Sequence, residues 1–305
     1  MSHDRAARPV FPPEVIVQIK ALACELPRDS GVPLSRFSTT DIAEEIVRRG
    51  IVAQISGSTV WRWLHEDALR PWYHRSWIFP RAPDFQPKAN RVLDLYHRSW
   101  QRRPLGPNEY VLCADEKTSI QARVRTHPTK PARPGRAARV EHEYERGGAL
   151  AYLAAWDVHR ARLFGRCEPQ ANIPAFDRLV AEIMTQAPYR TADRVFFVLD
   201  NGSVHRGDAA VERLQRTWPT LQPVFLPVHA SWLNQVEIYF SILQRKVLSP
   251  NDVESIFELE DRILAFQDRY QECAKPFEWK FTRQDLQRLM HDLSSEHTHL
   301  KMAAG

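Results

Sequence analysis

Three acidic residues have the type, context and spacing to share one chemistry: Asp115 in VLCADEK, Asp200 in VFFVLDNGSVH and Glu237 in HASWLNQVEIYF. Between Asp115 and Asp200 lie 84 residues, and between Asp200 and Glu237 lie 36. The first two each end a short run of Val, Leu, Phe and Ala that reads as a buried strand. The third falls about two turns into a helix whose N-cap would be Ser231. Acids at the ends of adjacent strands, with a third projecting from a helix, can converge on one point. Three convergent carboxylates repel one another unless divalent cations neutralise them, and hard oxygen donors suit Mg²⁺ or Mn²⁺. Two such ions are what cutting or joining a phosphodiester bond requires. Each acid also has an ordinary reading. Asp200 could open a turn with Asn201-Gly202, Asp115 could be a solvated strand end, and Glu237 a helix-surface acid. Only the combination favours chemistry.

The elements that must position these acids alternate through the second half of the chain. Strands are predicted near 110–115, 150–157, 161–167, 194–199 and 222–226. Helices are predicted near 173–187, 207–217, 231–247, 253–272 and 283–293. The order is three strands, helix, strand, helix, strand, helix, which gives a mixed sheet with flanking helices. Leu233, Val236, Phe240, Leu243 and Val247 form one apolar stripe at spacings of three and four, so their helix should pack on the sheet. Glu237 is one position off that stripe, at the edge between core and solvent.

The first half reads differently. Helices are predicted over 12–26, from Ser38 or Thr39 to Gly50, and from Ser56 or Ser58 through STVWRWLHED. This resembles a helix-turn-helix DNA reader, although the connector GIVAQIS is longer than a tight turn. Ser58, Thr59, Arg62 and His65 fall on the face away from the core and could enter a major groove; a plain helical bundle with a polar face fits equally well. RPWYHRSWIF (70–79) could be an extended wing, with Arg75 among the cations facing phosphates. The chain thus divides into a small, mostly α (winged) helix-turn-helix domain over 1–80, a linker with a connecting helix over 81–107 (the helix at about 88–103), and an α/β domain over 108–305.

Charge placement agrees with a polyanionic partner. Residues 1–147 carry 24 Lys+Arg against 17 Asp+Glu, a net of +7, whereas residues 148–305 carry 18 against 20, a net of −2. Residues 123–139 hold six cations, three prolines and no acid. Such a segment cannot be a regular helix or a central strand. It is either a solvated loop or an arm on which Arg133, Arg136 and Arg139 meet phosphates. The four cysteines are far apart and in no CxxC pair, which argues against a zinc cluster and a disulfide framework. No apolar run is long enough for a membrane span, and the first residues lack a secretory signal. A cytoplasmic setting, in a bacterium and associated with the nucleoid, is expected.

CADEK, HPTKPARPGR, EHEYERGG, FFVLDNGSVH and FLPVHASWLNQVEIYFSILQRKVL, in this order, resemble the DDE transposases of bacterial insertion sequences related to the mariner group. STVWRWLHEDALRPWYHRSWIFPRAPDF resembles the winged helix-turn-helix of that family, and the similarity extends from about residue 10 to residue 295. The resemblance implies a ribonuclease H-like catalytic domain. In it Asp115 and Asp200 share two Mg²⁺ or Mn²⁺ ions, and Glu237 holds one of them. It places Asn201 and His205 beside the second acid, orienting substrate or a ligand, with His229 and Asn234 in comparable supporting positions; local hydrogen bonding would explain His205 nearly as well. The implied activity is cleavage at element ends and transfer of the freed 3′-hydroxyl into target DNA. The implied partners are terminal inverted repeats, target DNA and, since two ends must be held together, a second copy of the chain. Such transposases carry two helix-turn-helix units and only the second is evident here, so a short member, a truncated gene or a fragment is expected. A DNA-binding regulator with a nuclease-like scaffold, a domesticated transposase lacking mobility and a hydrolase of RNA–DNA hybrids are the competing readings.

Overall fold

The computed structural model describes residues 11–67, 69–73, 82–202 and 207–303. They fall into two compact units, Met1–Ile78 and Phe79–Gly305. In the first unit, α1 (Pro13–Ala23), α2 (Thr39–Arg48) and α3 (Gly57–Glu66) enclose a core of Ile19, Leu22, Phe37, Ile42, Ile46, Val60 and Leu64. The ends of α2 follow from its sequence. The Ser38 hydroxyl accepts from the Asp41 amide at 3.2 Å while the Asp41 carboxylate accepts from the Ser38 amide at 2.7 Å. At the other end Gly50 adopts φ +72°. The Ile51 amide then donates to the Ile46 carbonyl and the Gly50 amide to the Val47 carbonyl. Ser56 caps α3 by accepting from the Thr59 amide at 3.2 Å. Most of the predicted wing, with Arg75, lies outside the described residues.

The second unit opens with α4 (Phe85–Tyr96), not at 88, and α4 ends well before 103. Pro83 and Pro87 gave the look of a linker. Pro87, however, sits in the first turn, where no helical N–H bond is lost. Arg98, Gln101 and Arg102 then take positive φ, and the chain folds into a small hairpin of β1 (Ser99–Trp100) and β2 (Arg103–Pro104). Phe85, Ala89, Val92, Leu93 and Leu95 of α4 are buried in the main core of this unit. The chain continues with β3 (Glu109–Val124), β4 (Glu145–Asp157), β5 (Arg162–Glu168), α5 (Ile173–Met184), β6 (Arg194–Leu199), α6 (Asp208–Thr217) and β7 (Leu221–Phe225). It ends with α7 (Val236–Lys246), α8 (Ile256–Cys273) and α9 (Arg283–Ala303).

The five strands order as β5-β4-β3-β6-β7. β4 runs antiparallel to both of its neighbours, β3 and β5, while β6 and β7 run parallel to β3. Alternation along β3 feeds two cores. Val111 and Cys113 face the layer with α4, α7 and α8, and Leu112 and Ala114 face the layer with α5 and α6. Among the described residues no helix is long and apolar enough to cross a membrane.

Candidate active site

Strand register brings the first two acids side by side. The parallel ladder of β3 with β6 ends at Cys113 paired with Val198, so Asp115 and Asp200 each lie two residues beyond the last pair. With a side-chain period of two, both project to the same face as Val111, Cys113, Phe196 and Val198, the face that carries α7. The Asp115 carboxylate accepts from the Glu116 amide at 2.8 Å, and that of Asp200 from the Gly202 amide at 2.7 Å. Asp200 directly follows β6, as expected. Asp115 does not end its strand: β3 runs on to Val124, paired on one side with β4 (Asp115 opposite Ala154) and no longer paired with β6.

Glu237 also sits differently from expectation. Ser231 begins only a short 3₁₀ turn, Ser231–Leu233, and α7 starts at Val236, so Glu237 lies in its first turn and not its second. The cause is Asn234, whose extended backbone (φ −82°, ψ 109°) interrupts the helix. Its fully buried amide reaches across to β3, with Nδ2 donating to the Ala114 carbonyl at 3.1 Å and to Asp115 Oδ2 at 3.1 Å. One residue earlier, the Tyr96 hydroxyl donates to the Leu233 carbonyl at 2.5 Å. The segment before α7 is thereby fastened to β3 and α4. Glu237 is left half-buried at the positive end of α7, where a carboxylate is favoured. Leu233, Val236, Phe240, Leu243 and Val247 are all buried beneath it, as the stripe requires.

The electrostatics tie the three acids together. Burial pushes the Asp115 carboxyl up to about 7; the charges of Asp200, Glu116 and Glu237 add to the effect, and the Glu116 amide opposes it. Burial also raises Glu237, with Lys117 opposing and Asp200 reinforcing. The donors are all carboxylate oxygens, and a buried carboxylate beside two others is the condition that a hard divalent cation relieves. The residues therefore fit Mg²⁺ or Mn²⁺ in kind, although among the described residues no group of three His, Cys, Asp or Glu side chains is close enough to hold an ion as it stands.

Around this centre, Asn201 Nδ2 donates to the Leu226 carbonyl at 2.8 Å, so its amide holds the strand-end loops together. His229 is exposed, with φ +61°, and lines a shallow cleft with Asp200, Asn201 and Pro227. His205 lies outside the described residues. Lys117, close enough to oppose the rise of Glu237, was not singled out from the sequence. Strand alternation from Asp115 would have found it.

The expected nucleic-acid contacts are distributed over both units. On α3, Ser58, Arg62 and His65 are exposed, whereas Thr59 is half-buried. The hydroxyls of Ser58 and Thr59 both lie 2.9 Å from that of Ser56, within the cap. The basic segment is a folded hairpin. Lys130 and Arg139 exchange backbone hydrogen bonds, as do Arg133 and Arg136, around Pro134-Gly135. Gly135 at φ +72° supplies the left-handed turn position that follows proline. Arg133, Arg136 and Arg139 are all exposed on it.

Residues 110–260 match the family model of the DDE superfamily endonuclease. The structure is similar, with a TM-score of 0.51 and 14% identity, to the Mos1 mariner paired end complex with Mn, covering 97% of this chain and 80% of that one. It is also similar to the Mos1 transposase paired-end complex with left transposon end, with a TM-score of 0.52 and 13% identity over 94% of this chain and 80% of the other. At these identities the likeness is one of fold, the ribonuclease H-like mixed sheet flanked by helices. Comparison with curated proteins returns no match.

Proposed function

We propose that the protein is a DNA transposase that cleaves phosphodiester bonds at element ends and joins the freed 3′-hydroxyl to target DNA. One observation carries this reading. Asp115 and Asp200 stand in register at the open end of the β3–β6 ladder, facing the helix that bears Glu237, within the segment that matches the DDE superfamily endonuclease. Asp115, Asp200 and Glu237 would hold two Mg²⁺ or Mn²⁺ ions, which supply charge neutralisation, activation of water or a 3′-hydroxyl and stabilisation of the leaving oxygen. The chain's own part is positional. Asn234 orients the Asp115 carboxylate through its 3.1 Å bond. Backbone amides fix one oxygen each of Asp115 and Asp200, and Asn201 braces the loop after Asp200. No protein nucleophile is needed.

The substrate reading extends to terminal inverted repeats of an insertion sequence, read by α3 through Ser58, Arg62 and His65 with Thr59 at its margin, and to a homodimer that holds two ends. Arg133, Arg136 and Arg139 would grip DNA backbone without regard to sequence. The test is conversion of supercoiled plasmid to nicked form, together with joining of a labelled 3′-hydroxyl oligonucleotide to plasmid, in Mg²⁺ or Mn²⁺ and in EDTA. Both products should form only with the cation. A protein that binds DNA yet forms neither product is a DNA-binding regulator with a nuclease-like scaffold.

A further inference from the structure

Just beyond Asp115, β3 carries an extra residue. Lys117 pairs with Tyr152 and Ile120 with Leu150, so three steps along β3 match two along β4. This is a β-bulge, and Ser119 within it takes φ +57°, a conformation that a serine rarely adopts. The bulge resets the alternation. Val111 and Cys113 face α7 before it, and Ile120 and Ala122 return to that core after it. Thr118 and Ser119 are left exposed at the break.

The bulge opens a cavity between β3 and the end of α7. Lys117, Thr118, Ser119 and Arg123 line it from the strand, and Gln244 and Asn251 from the opposite wall; its lining includes two cations and no acid. The far wall is braced. Asn251 accepts from the Arg123 amide at 3.3 Å and donates to the Gln121 carbonyl at 2.6 Å, and Gln244 donates to Ser249 at 3.0 Å. Among the described residues, Lys117 makes no ion pair within 4.0 Å, and neither the Thr118 nor the Ser119 hydroxyl hydrogen-bonds to protein. A concave site with two cations, two hydroxyl donors and no carboxylate in its lining is complementary to a phosphodiester.

We infer that this bulge cavity binds a backbone phosphate of the substrate strand on one side of the scissile bond, fixing the distance of that strand from Asp115. The inference rests on the nucleic-acid reading of the site. At about 3.3 Å per strand residue, the cavity begins at Lys117, roughly 7 Å along β3 from Asp115. At about 3.4 Å of helix axis per phosphate of one strand, that is about two phosphates from the reacting one. The bulge is what turns Thr118 and Ser119 towards it.

The experiment uses the full chain in EDTA, so that binding is read without cleavage. The probe is a fluorescein-labelled DNA duplex, followed by anisotropy across a salt series. Lys117→Ala should weaken binding and flatten the slope of log K against log salt by about 0.9, and Lys117→Ala with Arg123→Ala by about 1.8. Ser119→Gly relieves the positive φ, so it should fold at least as well as the parent. It should nevertheless lower affinity at every salt concentration with the slope unchanged. Lys117→Arg should restore the slope. Unchanged slopes in both alanine variants, with the parent binding the duplex in EDTA and cleaving DNA once Mg²⁺ is added, overturn the cavity and leave the transposase reading standing. Failure of the parent itself to bind the duplex overturns both.

Discussion

Replacing Asp115 with asparagine should stabilise the protein above neutral pH while abolishing its chemistry. In the fold the Asp115 carboxyl is pushed from an ordinary 3.8 to about 7, first by burial and then by Asp200. The folded state therefore binds this proton more tightly than the unfolded chain does. Stability falls as pH rises through that window, because ionisation is opposed only in the fold. At 1.36 kcal/mol per pH unit the cost of ionised Asp115 approaches about 4 kcal/mol by pH 8. Asparagine keeps the shape and removes the charge, and its carbonyl can still accept from Asn234 Nδ2. Urea unfolding in EDTA, followed by circular dichroism from pH 4 to pH 8, reads the difference. The variant should match the parent near pH 4 and exceed it by up to about 4 kcal/mol at pH 8. A variant less stable than the parent at pH 8, or one with the same pH dependence, would refute the electrostatic reasoning. Adding Mg²⁺ at pH 8 should narrow the gap by stabilising the parent alone.

Further outcomes follow from single contacts. Asn234→Ala removes the link from the α7 segment to Ala114 and Asp115; it should cost about 1–3 kcal/mol in urea unfolding and reduce cleavage. Gly165→Ala would place a Cβ 2.3 Å from the Tyr152 hydroxyl and 2.5 Å from Gln267. Thermal unfolding should show a loss of about 1–3 kcal/mol. Arg133→Ala, Arg136→Ala and Arg139→Ala together should weaken binding to all DNA sequences alike and flatten the salt slope by up to about 2.7. An unchanged slope would make the hairpin a solvated connection.

What the sequence disclosed and what it hid have physical causes. The α7 stripe and the edge position of Glu237 were readable because one helix face must bury Leu233 through Val247. Asp200 was readable because the Val-Phe-Phe-Val-Leu run has the length and the β-branched and aromatic content of a buried strand, and Asn201-Gly202 ends it there. The course of β3 past Asp115 was not, since KTSIQARV has neither continuous apolar character nor clean alternation. The bulge at Thr118-Ser119 conceals the period that returns Ile120 and Ala122 to the core. The start of α4 at residues 85–87 looked like linker because proline in a helical first turn leaves the same trace as proline in a loop. The late start of α7 depends on an Asn234 amide that bonds to residues 119 and 120 positions away in sequence. Local sequence carries no sign of that contact.

The central claim is that Asp115, Asp200 and Glu237 form one cation-dependent centre for DNA cleavage. It is tested most directly by cleavage of supercoiled plasmid in Mg²⁺ by the parent and by Asp115→Ala, Asp200→Ala and Glu237→Ala, with DNA affinity measured alongside. All three variants should bind DNA as the parent does and cut none of it. Undiminished cleavage by any one of them would remove that residue from the centre and contradict the account.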